Sequence, residues 1–123
     1  MNILIVDDDA LVRYTYNRFL EKHFNVFQAE DGVIGIEILR KEQDISKILL
    51  DVYMPEMDAF GFMRVIQTDP ELSKRYFEIF LISNLNKEDI LDTLIKQNID
   101  MKYIRNIIKK PVDMQMLTAI VEL

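Results

Sequence analysis

Short apolar runs alternate along this chain with stretches whose apolar positions recur at helical spacing. Residues 3–6 (Ile3, Leu4, Ile5, Val6) form a β-branched apolar run that predicts a first strand. Residues 25–29 alternate well enough to predict a second strand, and residues 48–52, 77–82 and 104–108 predict three more. Between them, residues 10–23 carry Val12, Tyr16, Phe19 and Leu20 on one helical face, with Asp9 at the N-cap position. Asp31-Gly32 marks a turn, and Ile34, Ile38 and Leu39 then predict a second helix. Met54-Pro55 ends the third strand, and residues 60–66 predict a third helix that stops near Asp69-Pro70. Residues 87–96 predict a fourth helix with Ile90, Leu91, Leu94 and Ile95 inward. Pro111 breaks the fifth strand, and Asp113 opens a last helix through Met116, Leu117, Ile120 and Val121.

Strands alternating with helices in this way give βαβ units and a parallel sheet, for which right-handed crossovers leave few topologies. The third strand is nearly all apolar, as expected of a strand covered on both faces. No repeat, low-complexity tract or linker interrupts the pattern, so residues 1–123 are expected to form one α/β domain.

Composition narrows the class. Half of the 123 residues are hydrophobic and 29% are charged, which suits a folded domain with a real core. There is no cysteine, so disulfides and thiolate chemistry are excluded. The net charge is −6 and no basic run is present, so no nucleic-acid binding is expected of this domain. No signal-peptide pattern follows Met1, and no apolar stretch approaches the roughly 18 residues of a membrane span. A cytoplasmic domain without a membrane partner is the expectation.

The candidate chemistry lies just past the strands. Asp7, Asp8 and Asp9 follow the first apolar run, Asp51 follows Ile48-Leu49-Leu50, and Lys110 follows the fifth. In an open parallel sheet all strand C-termini emerge along one edge, where ligands bind at the point of strand-order reversal. Carboxylates gathered there with one lysine are unfavourable unless a cation and an anion compensate them. That predicts a divalent metal and a phosphoryl group. Asp51 is the candidate nucleophile, since a carboxylate can attack phosphorus to give an acyl phosphate.

Plainer readings exist for each residue. The three consecutive aspartates also suit a solvated helix cap, and Asp9 is read as that cap alone. Asp51 also suits an ordinary strand-end acid, Lys110 an exposed lysine, and Ser83 a cap of the fourth helix in rivalry with Asn84 and Asn86. The single histidine, His23, is read as a residue at the end of the first helix complementing its dipole, not as a phosphoacceptor.

Taken together, Val6-Asp7-Asp8, Leu50-Asp51, Met54-Pro55 with Met57-Asp58, Ser83 and Lys110-Pro111 resemble the receiver domain of bacterial two-component response regulators, over the whole chain. The resemblance implies a flavodoxin-like (βα)5 three-layer sandwich with strand order 2-1-3-4-5. It implies Mg²⁺ bound by Asp8 and Asp51 directly, by Asp7 through water and by the Tyr53 main-chain carbonyl. Ser83 and Lys110 would bind phosphate oxygens, and the Lys110-Pro111 bond would be cis. The implied function is a signalling switch, not an enzyme beyond self-phosphorylation and self-dephosphorylation. Its partners would be a sensor histidine kinase or phosphotransfer protein, an output domain or downstream protein, and a second copy docked through the fourth helix, fifth strand and fifth helix.

The chain departs from the family pattern in places. Ser83 stands for the usual Thr, Asn84 for Ala or Gly, and Ala59 for Gly after Asp58. Ile107 stands where an aromatic switch residue is common, and Tyr103 is four residues too early. Lys110 follows Ser83 by more residues than usual, which implies an insertion. These changes leave the chemistry intact and bear on how its signal is transmitted. The alternative function is a phosphorylation-independent pseudo-receiver that only binds protein. A free-standing enzyme finds little support: a phosphatase of the aspartyl type would want an acid at Tyr53, and the only glycines, Gly32, Gly35 and Gly61, make no nucleotide loop. The chain ends within the last helix, at Glu122-Leu123, which suggests either a stand-alone receiver or one cut from a longer protein.

Overall fold

The computed structural model describes residues 1–123. Five strands and five helices alternate: β1 (Asn2–Val6), α1 (Ala10–Leu20), β2 (Asn25–Ala29), α2 (Gly32–Lys41), β3 (Ile45–Asp51), α3 (Ala59–Thr68), β4 (Glu78–Ser83), α4 (Lys87–Lys96), β5 (Ile104–Lys109) and α5 (Met114–Glu122). All strands are parallel, in the order β2-β1-β3-β4-β5, as the resemblance implied. Two apolar clusters fill the space on either side of the sheet. The larger holds Leu4, Val6, Ile48, Leu50 and Leu81 with Phe62, Met63 and Leu94. The other holds Ile3, Ile5, Leu49, Phe80 and Ile82 with Tyr16, Leu20, Leu117 and Val121. Alternate strand residues point to opposite faces, which is why β1, β3 and β4 read as continuous apolar runs.

Each helix start carries a side-chain cap, at Asp9 and Asp113 as the sequence suggested. Asp9 accepts from the Leu11 and Val12 N–H groups, Asp31 from Ile34, Asp58 from Gly61, Asn86 from Asp89, and Asp113 from Gln115 and Met116. Asn86, not Ser83 or Asn84, therefore caps α4. Gly32 has an ordinary backbone conformation. Its glycine is required by close packing, because a Cβ there would lie 2.8 Å from the Met57 carbonyl oxygen.

Several expectations are corrected. Helix α1 ends at Leu20, so His23 lies in the turn beyond it, and its Nδ1 sits 3.2 Å from Glu122 Oε1 of α5. Phe19, Ile95 and Met116, placed inward by periodicity, are exposed at 40%, 67% and 48%. Each sits at the margin of its helix's apolar stripe, where 3.6-residue spacing drifts away from the sheet. Strand β3 begins three residues earlier than its apolar run and includes Lys47, which is buried and paired with Glu78 at 2.7 Å. Ala59 is helical; the left-handed residue of the β3–α3 loop is Glu56, at φ 65°.

Candidate functional site

The C-terminal ends of β1, β3, β4 and β5 bring the candidate residues together. Asp7 and Asp8 follow Val6 directly, Asp51 is the last residue of β3, Ser83 the last of β4, and Lys110 follows β5. Register does the alignment: Val6 pairs with Leu50, Asp51 with Ile82, and Ser83 with Lys109. One carboxylate oxygen from each of Asp7, Asp8 and Asp51 lies within 4.8 Å of the others. Lys110 reaches in from the far side, with Nζ donating to Asp51 Oδ1 at 3.1 Å and lying 3.9 Å from Asp7 Oδ2.

Asp7 and Asp51 are buried, and Asp8 is exposed. Burial pushes the Asp7 carboxyl up to about 6, helped by the charges of Asp51 and Asp8 and opposed by the Asp9 N–H and Lys110. Burial also raises Asp51 above the usual carboxylate range, against the hydrogen bond and charge of Lys110. Three carboxylates thus face one ammonium, and the excess negative charge costs stability as it stands. An all-oxygen donor set carrying excess negative charge suits a small hard cation.

The remaining residues are placed as follows. The Ser83 hydroxyl is buried and accepts from the Leu85 N–H at 3.0 Å, while the Lys110 N–H bonds the Ser83 carbonyl at 2.9 Å. Tyr53 lies in the loop just past Asp51, its side chain 59% exposed and edge-on to Phe60. The Val52 N–H to Ile82 and Ala59 N–H to Val52 bonds hold that loop against the sheet edge. The Lys110-Pro111 bond is cis. Asp9 stands outside the group as a cap, as expected.

The departures also have definite places. Tyr103 is buried in the larger apolar cluster, just before β5, and Ile107 packs half-buried against the same cluster. A 3₁₀ turn (Met101–Tyr103) occupies the link between α4 and β5. Asn84 is exposed and lines a cavity of about 480 Å³ with Lys110, Leu11, Tyr16 and Val112.

Sequence reasoning missed one residue here. Arg13, in α1, donates from Nη1 to the Asp7 carbonyl oxygen at 2.6 Å. A signal was present: a basic residue near a helix N-terminus opposes the dipole and asks for a reason.

The response regulator receiver domain model matches residues 3–122. PilH of Pseudomonas aeruginosa is 38% identical over 72 residues, which cover 58% of this chain and 59% of PilH. A probable chemotaxis protein CheY of Rhizobium etli is 27% identical over 99% of this chain and 90% of its own length. The crystal structure of a CheY-like receiver domain protein from Methanospirillum hungatei is 29% identical, with a TM-score of 0.78 over 98% of this chain and 90% of that one. With the fold, the acidic group at the sheet edge and a family match over nearly every residue in agreement, the chain belongs to the response regulator receiver domain family.

Proposed function

We propose that this domain is a phosphorylation-activated switch in which Asp51 accepts a phosphoryl group from a sensor histidine kinase or a phosphotransfer protein. The single observation that carries the reading is Asp51 itself: a buried carboxylate beside two others, with Lys110 Nζ at 3.1 Å. An Asp51 carboxylate oxygen would attack phosphorus as the bond to the donor imidazole nitrogen breaks and the leaving ring keeps its electron pair. Phosphoryl transfer of this kind depends on positioning and charge neutralisation more than on covalent assistance.

Asp8 and Asp51 would hold Mg²⁺ directly, with Asp7 acting through water and Tyr53 offering its main-chain carbonyl. When bound, the ion supplies the positive charge that the three carboxylates and the incoming phosphoryl oxygens both need. Lys110 would leave its bond to Asp51 for a phosphoryl oxygen, as a mobile point charge. The Ser83 hydroxyl, now held only by the Leu85 N–H, would turn to another phosphoryl oxygen. With Tyr103 packed in the core and Ile107 aliphatic, the rearrangement would pass through Ser83 and the β4–α4 loop without a swinging ring. A phosphorylated form with residues 83–112 unchanged would refute that last point.

The reading extends to a cytoplasmic setting, to signalling without enzymatic turnover of its own, and to an output domain or downstream protein as the recipient. A second copy meeting the α4-β5-α5 face is part of the same proposal. No helix is long and apolar enough to cross a membrane.

Incubation with acetyl phosphate and Mg²⁺, followed by intact mass, tests the switch. One phosphoryl adduct is expected in the wild type and none in Asp51→Asn. No adduct in the folded wild type would instead favour the pseudo-receiver that acts only by binding protein.

A further inference from the structure

The two N-terminal acids of the site sit in a three-residue link between β1 and α1, with little chain on either side to hold their direction. Besides the Asp9 cap, four hydrogen bonds fix that link. The Asp7 N–H bonds the Ala29 carbonyl at 3.1 Å, tying the start of the link to β2. The Asp9 N–H donates to Asp7 Oδ1 at 2.9 Å, and the Arg13 N–H bonds the Asp9 carbonyl at 3.1 Å. The fourth is the Arg13 guanidinium on the Asp7 carbonyl at 2.6 Å, which closes a ring from Asp7 through Asp9 to Arg13 and back. That carbonyl belongs to the peptide joining Asp7 to Asp8, so its orientation sets the direction in which the exposed Asp8 side chain leaves the backbone.

We infer that Arg13 is a positioning residue for cation binding, holding the Asp7–Asp8 peptide so that both carboxylates face Asp51. The inference rests on the Mg²⁺ reading of the acidic site. Arg13 is half-buried and pairs with no carboxylate within 4.0 Å; its bond goes to main chain. Its charge also lies where acids would suit the helix dipole better. Charge and geometry therefore pull a bound cation in opposite directions. Charge alone repels a divalent ion, so its removal would tighten binding. The carbonyl bond orders the ligands, so its removal would weaken binding. Residues that orient metal ligands from behind are typically worth about 10- to 100-fold in affinity.

Titrating Mg²⁺ alone into metal-free protein by calorimetry decides the sign. Arg13→Ala is expected to bind at least about tenfold more weakly than the wild type. Arg13→Lys, which keeps a donor and a charge on a shorter reach, should recover part of the loss. Arg13→Gln is neutral and too short, and should match the alanine variant; it also serves if Arg13→Ala does not fold. Unfolding temperatures of the metal-free proteins, measured alongside, separate lost orientation from lost fold. Equal or tighter Mg²⁺ binding in the folded Ala or Gln variants overturns the positioning role while leaving the metal reading intact. A folded wild type that binds no Mg²⁺ overturns both.

Discussion

The two edges of the sheet bury charge in opposite ways. At the N-terminal edge, Lys47 is nearly inaccessible yet fully partnered: its ammonium lies 2.7 Å from Glu78 and over the Phe80 ring. Glu78 is held in turn by the Tyr76 hydroxyl at 3.1 Å and by Arg105 at 3.9 Å. Burial works against the Glu78 charge, but Lys47 and Tyr76 outweigh it and hold the carboxyl below its usual range. Arg75 nearby donates to the carbonyls of Leu39, Glu42 and Ile45, clamping the end of α2 to the start of β3. At the C-terminal edge the balance is left open, and Asp7 and Asp51 are pushed up. A buried charge that is fully matched from within reads as architecture. One left in excess reads as a site awaiting a ligand.

Mutations at the two edges should therefore differ in sign. Lys47→Ala strips Glu78 of its main partner, and breaking such a pair costs about 3 kcal/mol; urea denaturation should show that loss. A neutral effect would mean that Tyr76 and Arg105 suffice to hold the carboxylate. At the other edge, Asp7→Asn removes uncompensated charge. Displacement of the carboxyl from 3.8 to about 6 corresponds to a gain of up to about 3 kcal/mol in metal-free protein at neutral pH. Excess Mg²⁺ should shrink that advantage, because the wild type alone gains the full set of ligands. Arg75→Ala leaves three carbonyls to find water and should cost about 2 kcal/mol.

Acidity sharpens the same contrast. Folded Asp7 titrates near 6, above its unfolded value of 3.8, so the native chain holds a proton that the unfolded chain releases. Stability of the metal-free protein should thus rise as pH falls from 7.5 toward 5, with Asp51 acting in the same direction. Glu78 has the opposite sign. Its contribution is present above the ordinary value of 4.5 and is lost as pH drops through its lower folded value. A stability maximum at about pH 4 is expected, where the Asp7 gain levels off and the Glu78 loss has begun, measured as denaturation midpoints across roughly pH 3–8. A curve rising steadily to neutrality would show that the acidic edge is already compensated. The smallest effect should come from His23→Ala, since its pair with Glu122 is exposed on both sides and is worth less than about 1 kcal/mol.

The legibility of the chain followed the range of the forces involved. Strands β1, β3 and β4 were visible because burial on two faces demands unbroken apolar runs, and the starts of α1 and α5 were visible because a cap such as Asp9 or Asp113 is a local bond. Asp7, Asp8, Asp51 and Lys110 were legible as a group through strand ends that share one edge, and Ser83 joined them only through the resemblance. Lys47 was not, because a buried lysine departs from its usual place and is admitted only by Glu78, 31 residues away. Arg13 was passed over as one polar residue among helix positions, since its partner is a main-chain carbonyl that any sequence would offer.

Periodicity, caps and turn residues alone determined a parallel α/β sheet with acids and a lysine at its C-terminal edge. Those signals act over a few residues, whereas the strand order is implied by the resemblance and set by the tertiary structure. Only the tertiary structure decided how the charges are apportioned. It paired Lys47 with Glu78, sent Arg13 to a peptide rather than a carboxylate, buried Tyr103 beside β5, and left Asp7 and Asp51 short of compensation. Charge balance in a low-dielectric interior depends on distances between residues far apart in the chain, and folding alone sets those distances.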